Sequence, residues 1–478
     1  MASATSTSNP RTERDGLGEV QAPAWALWGA HTQRAIENFP LSGQRMHPVF
    51  IRALGEVKLA CLRANAAYLP PDVFAAMETA CGQVIAGEVD DHFPVDAYQG
   101  GAGTSANMNA NEVIANLAEE ALGGRRGDYA RVHPLRHVNM HQSTNDVYPT
   151  ALRVAVLHLL KGLEDETARL QEALQDKEHA FHDVVKLGRT QLRDAVPITL
   201  GMEAGAWAEA VSRDRWRIFK NRERIKVVNL GGTAVGTGLG APRDYIFRVV
   251  RELRSVTGHN LARAENLVDA TQNVDAFVEV SGMLKAMAVN LHKISGDLRL
   301  LGMGPHGGPA ELNLPPVQAG SSIMAGKVNP VIPEAVTQVA LRVMSNDALI
   351  AQAAALGSLE LNPFLPLVNV ALTESLVLLA NAARTLRTRC IDGLTADEDR
   401  CRAMLLASPM AATVLVPLLG YERVEALVHR AQQEGRSVLE VVRQEGLVPP
   451  DRLDDLLSPK RMYKLGYTEE TDGLEQPE

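Results

Sequence analysis

Apolar residues recur along much of the chain with the period of a helix and seldom with that of a strand. The clearest stretch runs from Asn273 to about Leu301, where Phe277, Leu284, Leu291 and Leu298 repeat every seven residues, with Val280, Met287, Ile294 and Leu301 repeating beside them. An a/d pattern sustained in this way predicts a helix packed in a bundle or coiled coil. At 1.5 Å per residue it is roughly 40 Å long and needs neighbours of similar length to bury its face. Arg153 to Phe181 supplies one, with Val156, Leu160, Leu163, Leu170 and Leu174 on one side. Pro333 suits the first helical position of a second, running through Val343 to Ala353, and the Leu/Ala-rich run Ala371 to Cys390 is a third. No stretch reads as alternating strand and helix, so the expected fold is all-α with a long central helical bundle.

On either side of the bundle the pattern shortens. Gly-rich breaks interrupt it before about Asn145, and Pro417, Gly420, Gly435, Gly446 and Pro449-Pro450 interrupt it after about Leu394. The expected organisation is therefore an N-terminal domain 1–145, a central long-helix domain 146–394 and a small C-terminal helical domain 395–478. The 478-residue length gives the same number at ~150 residues per domain. Met1 to about Pro10 and Glu469 to Glu478 read as disordered.

Composition removes several classes of function. With 46% hydrophobic and 22% charged residues the chain is an ordinary globular one. Its 48 Lys and Arg against 57 Asp and Glu give a formal charge of −9 without a basic block, which argues against nucleic acid as a partner. No apolar run approaches the ~20 residues of a membrane span. The Ser/Thr/Ala-rich N-terminus lacks the apolar core of a signal peptide. Cys61, Cys81, Cys390 and Cys401 form no CxxC pair, so a zinc ribbon or redox motif is not expected, and a reducing cytoplasm fits. HExxH is absent too, and neither metal nor organic cofactor is expected.

Four polar, Gly-rich stretches break the helical pattern. Gly100-Gly101-Ala102-Gly103-Thr104-Ser105, with Asn107, Asn109 and Asn111 after it, combines backbone donors with short hydroxyls, although Thr104 or Ser105 as a plain helix cap explains it equally. His137 to Asp146 ends in Ser143-Thr144-Asn145-Asp146, four hydrogen-bonding residues before a helix expected to start after Pro149; a cap accounts for one of them. Gly188-Arg189-Thr190-Gln191 has the groups to hold a carboxylate, and reads otherwise as a solvated loop between two helices. Gly320-Ser321-Ser322-Ile323-Met324-Ala325-Gly326-Lys327-Val328-Asn329-Pro330 flanks two hydroxyls, a cation and an amide with glycines, as a closing active-site loop requires. Ser321 does not sit in a GxSxG elbow, which excludes the hydrolase reading.

Together, in this order and from about Arg11 to about Thr468, the four stretches resemble the fumarase/aspartase superfamily, and the Gly320–Pro330 segment resembles its signature loop. Within it, Asp96-Ala97-Tyr98-Gln99 before the first motif, Thr144 in the second, Gln191 in place of the catalytic histidine of fumarases, and Pro333-Glu334 look more like the aspartate ammonia-lyase branch. The resemblance implies a dicarboxylate substrate and elimination without a cofactor. Ser321 would be the base that takes a proton from Cβ. Thr104, Ser143, Thr144 and Ser322 would surround the carboxylate on which charge develops. Lys327, Asn329 and Thr190 would hold the other carboxylate, and Asn145 and Gln191 would contact the amino group or that carboxylate. It also implies a homotetramer in which each site takes its motifs from three subunits.

Three departures stand out. Ala325 replaces the proline usual in the loop, which widens the open-loop ensemble by ~0.4–1 kcal/mol. His141 stands where aspartases usually have serine, and Ala106 where they have a second threonine. These leave two alternatives to L-aspartate deamination: elimination from a modified aspartate or another succinyl compound, with fumarate hydration least favoured, or a non-catalytic oligomeric scaffold. Retention of Ser321, Lys327 and Asn329 weighs against the scaffold.

Overall fold

The structure, a computed structural model, describes residues 10–467. Apart from Pro10, the two ends expected to be disordered lie outside those residues. The chain divides into two compact units, one of Met1–Glu164, Trp216–Ala286 and Arg342–Ala380, the other of Asp165–Arg215, Met287–Leu341 and Asn381–Glu478.

The architecture is mostly helical. Five long helices, Thr144–Ala180, Leu200–Arg224, Asp275–Leu301, Val331–Ala355 and Leu365–Leu386, make up much of it; four overlap the stretches predicted above, and Leu200–Arg224 was not anticipated. All eight heptad positions from Phe277 to Leu301 are buried, as are Val156, Leu160, Leu163, Leu170 and Leu174. Leu365–Ile391 is long and apolar enough to cross a membrane by length and mean hydropathy (1.5), and 61% of its most apolar window is buried inside the protein. Asn369, Thr373 and Glu374 interrupt its apolar run, so it escapes a search for unbroken apolar residues.

The helix boundaries differ from expectation at one informative place. Pro149 lies inside the Thr144–Ala180 helix and does not precede it. A proline cannot bond the carbonyl four residues back. That carbonyl, of Asn145, accepts instead from Asn229 Nδ2 at 2.9 Å, so the helix begins a turn and a half earlier.

Among the described residues there are also four two-stranded sheets, which the helical reading did not anticipate. Val227–Val228 and Ala262–Arg263 pair in parallel with the Arg243–Thr257 helix between them. Val185–Thr190 and Arg193–Thr199 form an antiparallel hairpin where a loop between helices was expected. Leu187 of this hairpin joins the core of the short C-terminal helices, with Leu405, Leu415, Leu427, Leu439 and Leu453. Those helices break at the glycines and prolines singled out above: Gly435 is the left-handed C-cap of Tyr421–Glu434, and Pro450 is the first residue of Pro450–Leu456.

Candidate active site

Thr104, Ser143, Thr144 and Asn145 lie in the first unit, and Thr190, Gln191, Ser321, Ser322, Lys327 and Asn329 in the second. Gly101, Ala102 and Gly103 all have positive φ, which turns the chain sharply into the Thr104–Ala121 helix. Neither Thr104 nor Ser105 caps it; the N-cap is Gly103, and Thr104 Oγ1 donates to Gly101 O at 2.8 Å. A Cβ at Gly103 would lie 2.2 Å from the Tyr148 ring, so glycine is required for this helix to approach the Thr144 helix.

Ser143 begins the Thr144 helix with a reciprocal cap. Its Oγ accepts from Asn145 N at 3.2 Å, while Asp146 Oδ1 accepts from Ser143 N at 3.0 Å. The other Asp146 oxygen accepts from Gly231 N and Thr233 N, both at 3.0 Å. Burial pushes the Asp146 carboxyl up to about 6, against these backbone donors. Thr144 Oγ1 accepts from Asn107 Nδ2 at 3.1 Å, and Asn145 Nδ2 donates to Ala234 O at 2.7 Å. Among the described residues the side-chain Oδ1 of Asn145 is left without a hydrogen bond, an acceptor suited to an ammonium group.

In the second unit Thr190 ends the first hairpin strand, and Gln191 and Leu192 form a two-residue turn with φ of 54° and 60°. Such turns favour Asn-Gly because both central residues need positive φ. Leu192 is 73% exposed and gains nothing from packing there. Leu192→Gly is expected to raise stability by ~1 kcal/mol, read as a higher urea midpoint with an unchanged slope. Arg189 does hold a carboxylate, but an internal one: Nη1 and Nη2 donate to Glu311 at 2.8 and 2.9 Å, and Lys186 Nζ lies 3.2 Å from the same carboxylate. Among the described residues no hydrogen bond joins Thr190 or Gln191 to the Ser321 loop.

That loop is pinned at its ends. Gly320 N donates to Lys327 O at 2.8 Å and Asn329 Nδ2 donates to Gly320 O at 2.6 Å. Ser321 Oγ accepts from Ile323 N at 3.2 Å and from Met324 N at 2.9 Å. Ser322 to Val328 is exposed, and among the described residues Lys327 has no ion pair. A Cβ on Gly320 would meet Lys327 O at 2.8 Å and Asn329 N at 2.9 Å. Gly320→Ala should force the pin apart, at ~1–3 kcal/mol, and lower turnover ~10–100-fold, with circular dichroism unchanged.

A family model described as Lyase matches residues 18–345, and one described as Fumarase C C-terminus matches residues 412–464. The chain belongs to this lyase family. An aspartate ammonia-lyase of Pseudomonas canavaninivorans is 47% identical over 463 residues, 96% of this chain and 98% of that one. A cobalt-bound structure titled fumarate lyase:delta crystallin from Brucella melitensis is 46% identical with a TM-score of 0.91, covering 95% of this chain and 99% of that one. A recombinant class II fumarase of Schistosoma mansoni is 30% identical, with a TM-score of 0.88 and coverage of 96% and 100%.

In this lyase the departures occupy distinct places. His141 has positive φ and turns its Nδ1 to Asn65 Oδ1 at 2.7 Å, with its ring against Tyr68 and Tyr245; burial lowers its pKa. Ala106 is fully buried, and Ala325 is exposed on the loop. The four cysteines are free and buried, and among the described residues no group of three or more His, Cys, Asp or Glu is placed to hold a metal ion. Lys58 was not singled out from sequence, and Asp146 was read only as the last of the four hydrogen-bonding residues of its motif, without a role of its own. The only signal for Lys58 is a lone cation in the apolar run Val57 to Leu62.

Proposed function

We propose that the protein is an aspartate ammonia-lyase that reversibly eliminates ammonia from L-aspartate to give fumarate. The names of relatives such as the Pseudomonas enzyme support the substrate. The observation that carries the chemistry is the pair of backbone N–H groups on Ser321 Oγ. A serine base needs its alkoxide stabilised, and donors fixed before the reaction do this without reorganisation. Closure of the loop and loss of water strengthen both bonds and bring the Lys327 charge to bear.

Ser321 takes the Cβ proton, and the electron pair moves into the adjacent carboxylate to form a dianionic aci intermediate. Thr104, Ser143, Thr144 and Ser322 donate to it; one such donor is worth ~10²–10³ in rate. Thr190, Lys327 and Asn329 hold the α-carboxylate, and Asn145 Oδ1 and Gln191 receive the amino group. Collapse of the intermediate expels the nitrogen. An ammonium needs no acid to leave, whereas hydroxide does, so Gln191 favours ammonia over water as the leaving group. The assembly is a homotetramer of three-domain chains in the cytoplasm, each site drawing its motifs from three copies.

The test is the ultraviolet absorbance of fumarate with purified protein and L-aspartate. A rise supports the proposal. No rise with L-aspartate, but one with L-malate or an N-substituted aspartate, moves the substrate while keeping the elimination. Inertness towards all three, in a folded protein, overturns it.

A further inference from the structure

Lys58 is 1% exposed, yet among the described residues no carboxylate lies in hydrogen-bonding contact with its ammonium group. Instead Nζ donates to three side-chain amide oxygens: Asn107 Oδ1 at 2.7 Å, Gln142 Oε1 at 2.8 Å and Asn139 Oδ1 at 3.2 Å. An ammonium has three protons and no acceptor, so three oxygens saturate it. The consequence reaches past the lysine. An amide that shows its oxygen to Lys58 must show its nitrogen elsewhere, and Asn107 Nδ2 meets Thr144 Oγ1 at 3.1 Å and Asn139 Oδ1 at 3.2 Å. Gln142 Nε2 likewise donates to Val138 O at 2.9 Å, and Asn139 Nδ2 to Gln142 O at 3.2 Å. The orientations of Asn107 and Gln142 are thereby tied to one charge, and that of Asn139 to the charge together with Asn111 Nδ2, which donates to Asn139 Oδ1 at 3.1 Å.

We infer that Lys58 is a positioning residue: by orienting the Asn107 amide it makes the Thr144 hydroxyl an acceptor from inside the protein, leaving its proton to donate to the substrate carboxylate. The inference rests on the reading of Thr144 as a carboxylate donor given above. A neutral lysine has two protons and a lone pair, so one of the three amides must flip to face it. If Asn107 flips, its oxygen faces Thr144, the hydroxyl turns inward to donate to it, and the substrate loses a donor.

The charge is held at a cost that makes it titrate in an accessible range. Burial lowers the Lys58 pKa to about 8. The titratable groups that face it are Asp146, pushed up to about 6, and Cys61 and Cys81, each pushed up to about 12, all chiefly by burial. Between pH 7 and pH 10, then, Lys58 is the member of this set that changes charge. The Ser321 base acts in the opposite sense, since ionising it raises the rate.

The experiment is turnover at saturating L-aspartate from pH 6.5 to 9.5 for the native protein, Thr144→Val, Lys58→Met and the double variant. Measured against Thr144→Val, the expected native profile falls about tenfold per pH unit above pH 8. Thr144→Val should be ~10²–10³-fold slower at neutral pH, the worth of one donor, and should lack the alkaline fall, because there is no hydroxyl left to turn. Lys58→Met, folded by circular dichroism, should match it, and the double variant should be no slower than either. A purely structural lysine would leave the alkaline fall intact in Thr144→Val; that result, or a native profile without the fall, overturns the inference without needing any Lys58 variant to fold. A native protein inert towards L-aspartate, L-malate and N-substituted aspartates overturns the functional reading, and this inference with it.

Discussion

Ser321→Ala is expected to lower the rate of fumarate formation from L-aspartate by at least ~10²–10⁴-fold, the contribution of the positioned base proposed above, and to leave stability within ~0.5 kcal/mol of native. Two features make the effects separate so cleanly. The hydroxyl's partners within the protein are the N–H groups of Ile323 and Met324, in a segment exposed to solvent. Water replaces Oγ there once it is gone, so nothing buried is left unsatisfied. The chemistry has no such substitute, because water is not held where the base must be. The measurement is the fumarate absorbance beside a thermal melt of the same preparation. Equal rates for the two proteins would remove Ser321 from the mechanism.

Asp146→Ala acts on the other side of the balance. Its two oxygens accept three backbone N–H groups, from Ser143, Gly231 and Thr233, and the side chain is wholly buried. Leaving buried donors unpaired costs ~1–3 kcal/mol each, so a loss of ~3–9 kcal/mol is expected for the three, a large share of a typical 5–15 kcal/mol. Asparagine does not rescue it, because both oxygens are in use and one end of an amide is itself a donor. The expected reading is a much lower urea midpoint for both variants. The pH dependence separates them from the native protein. Burial raises the folded pKa from 3.8 to about 6, so the part of the stability linked to this carboxyl's proton is full below 3.8 and is lost as pH rises through about 6, while its acceptance of the three N–H groups persists. That slope should vanish in Asp146→Asn.

Much of the helical framework was legible in the chain because its cause is local. Leu284, Leu291 and Leu298 fall on one face by spacing alone, and all three are buried. What escaped depends on partners far away in sequence. Lys186 and Arg189 look like loop residues until Glu311, 122 residues beyond Arg189, receives both. Gln191-Leu192 lacks the Asn-Gly signal of a hairpin, and Pro197 seems out of place in a strand. Pro149 reads as a helix boundary until Asn229, 84 residues beyond Asn145, takes the stranded carbonyl. Of the proposed site, the hydroxyls, Lys327 and Asn329 were visible by type and order. The amide cluster behind Thr144 was not, since its members come from three separate stretches of chain.

The pinned ends of the Ser321 loop have a consequence for anyone wishing to alter this protein. Because Gly320 and Asn329 are tied to each other, the residues between them form a cassette whose interior is decoupled from the buried framework. Randomising Ile323, Met324 and Ala325 should therefore yield libraries in which nearly every member folds and members differ in turnover. Restoring proline at Ala325 is the natural first clone. Randomising Gly320 or Asn329 would instead yield libraries in which the cassette itself is lost.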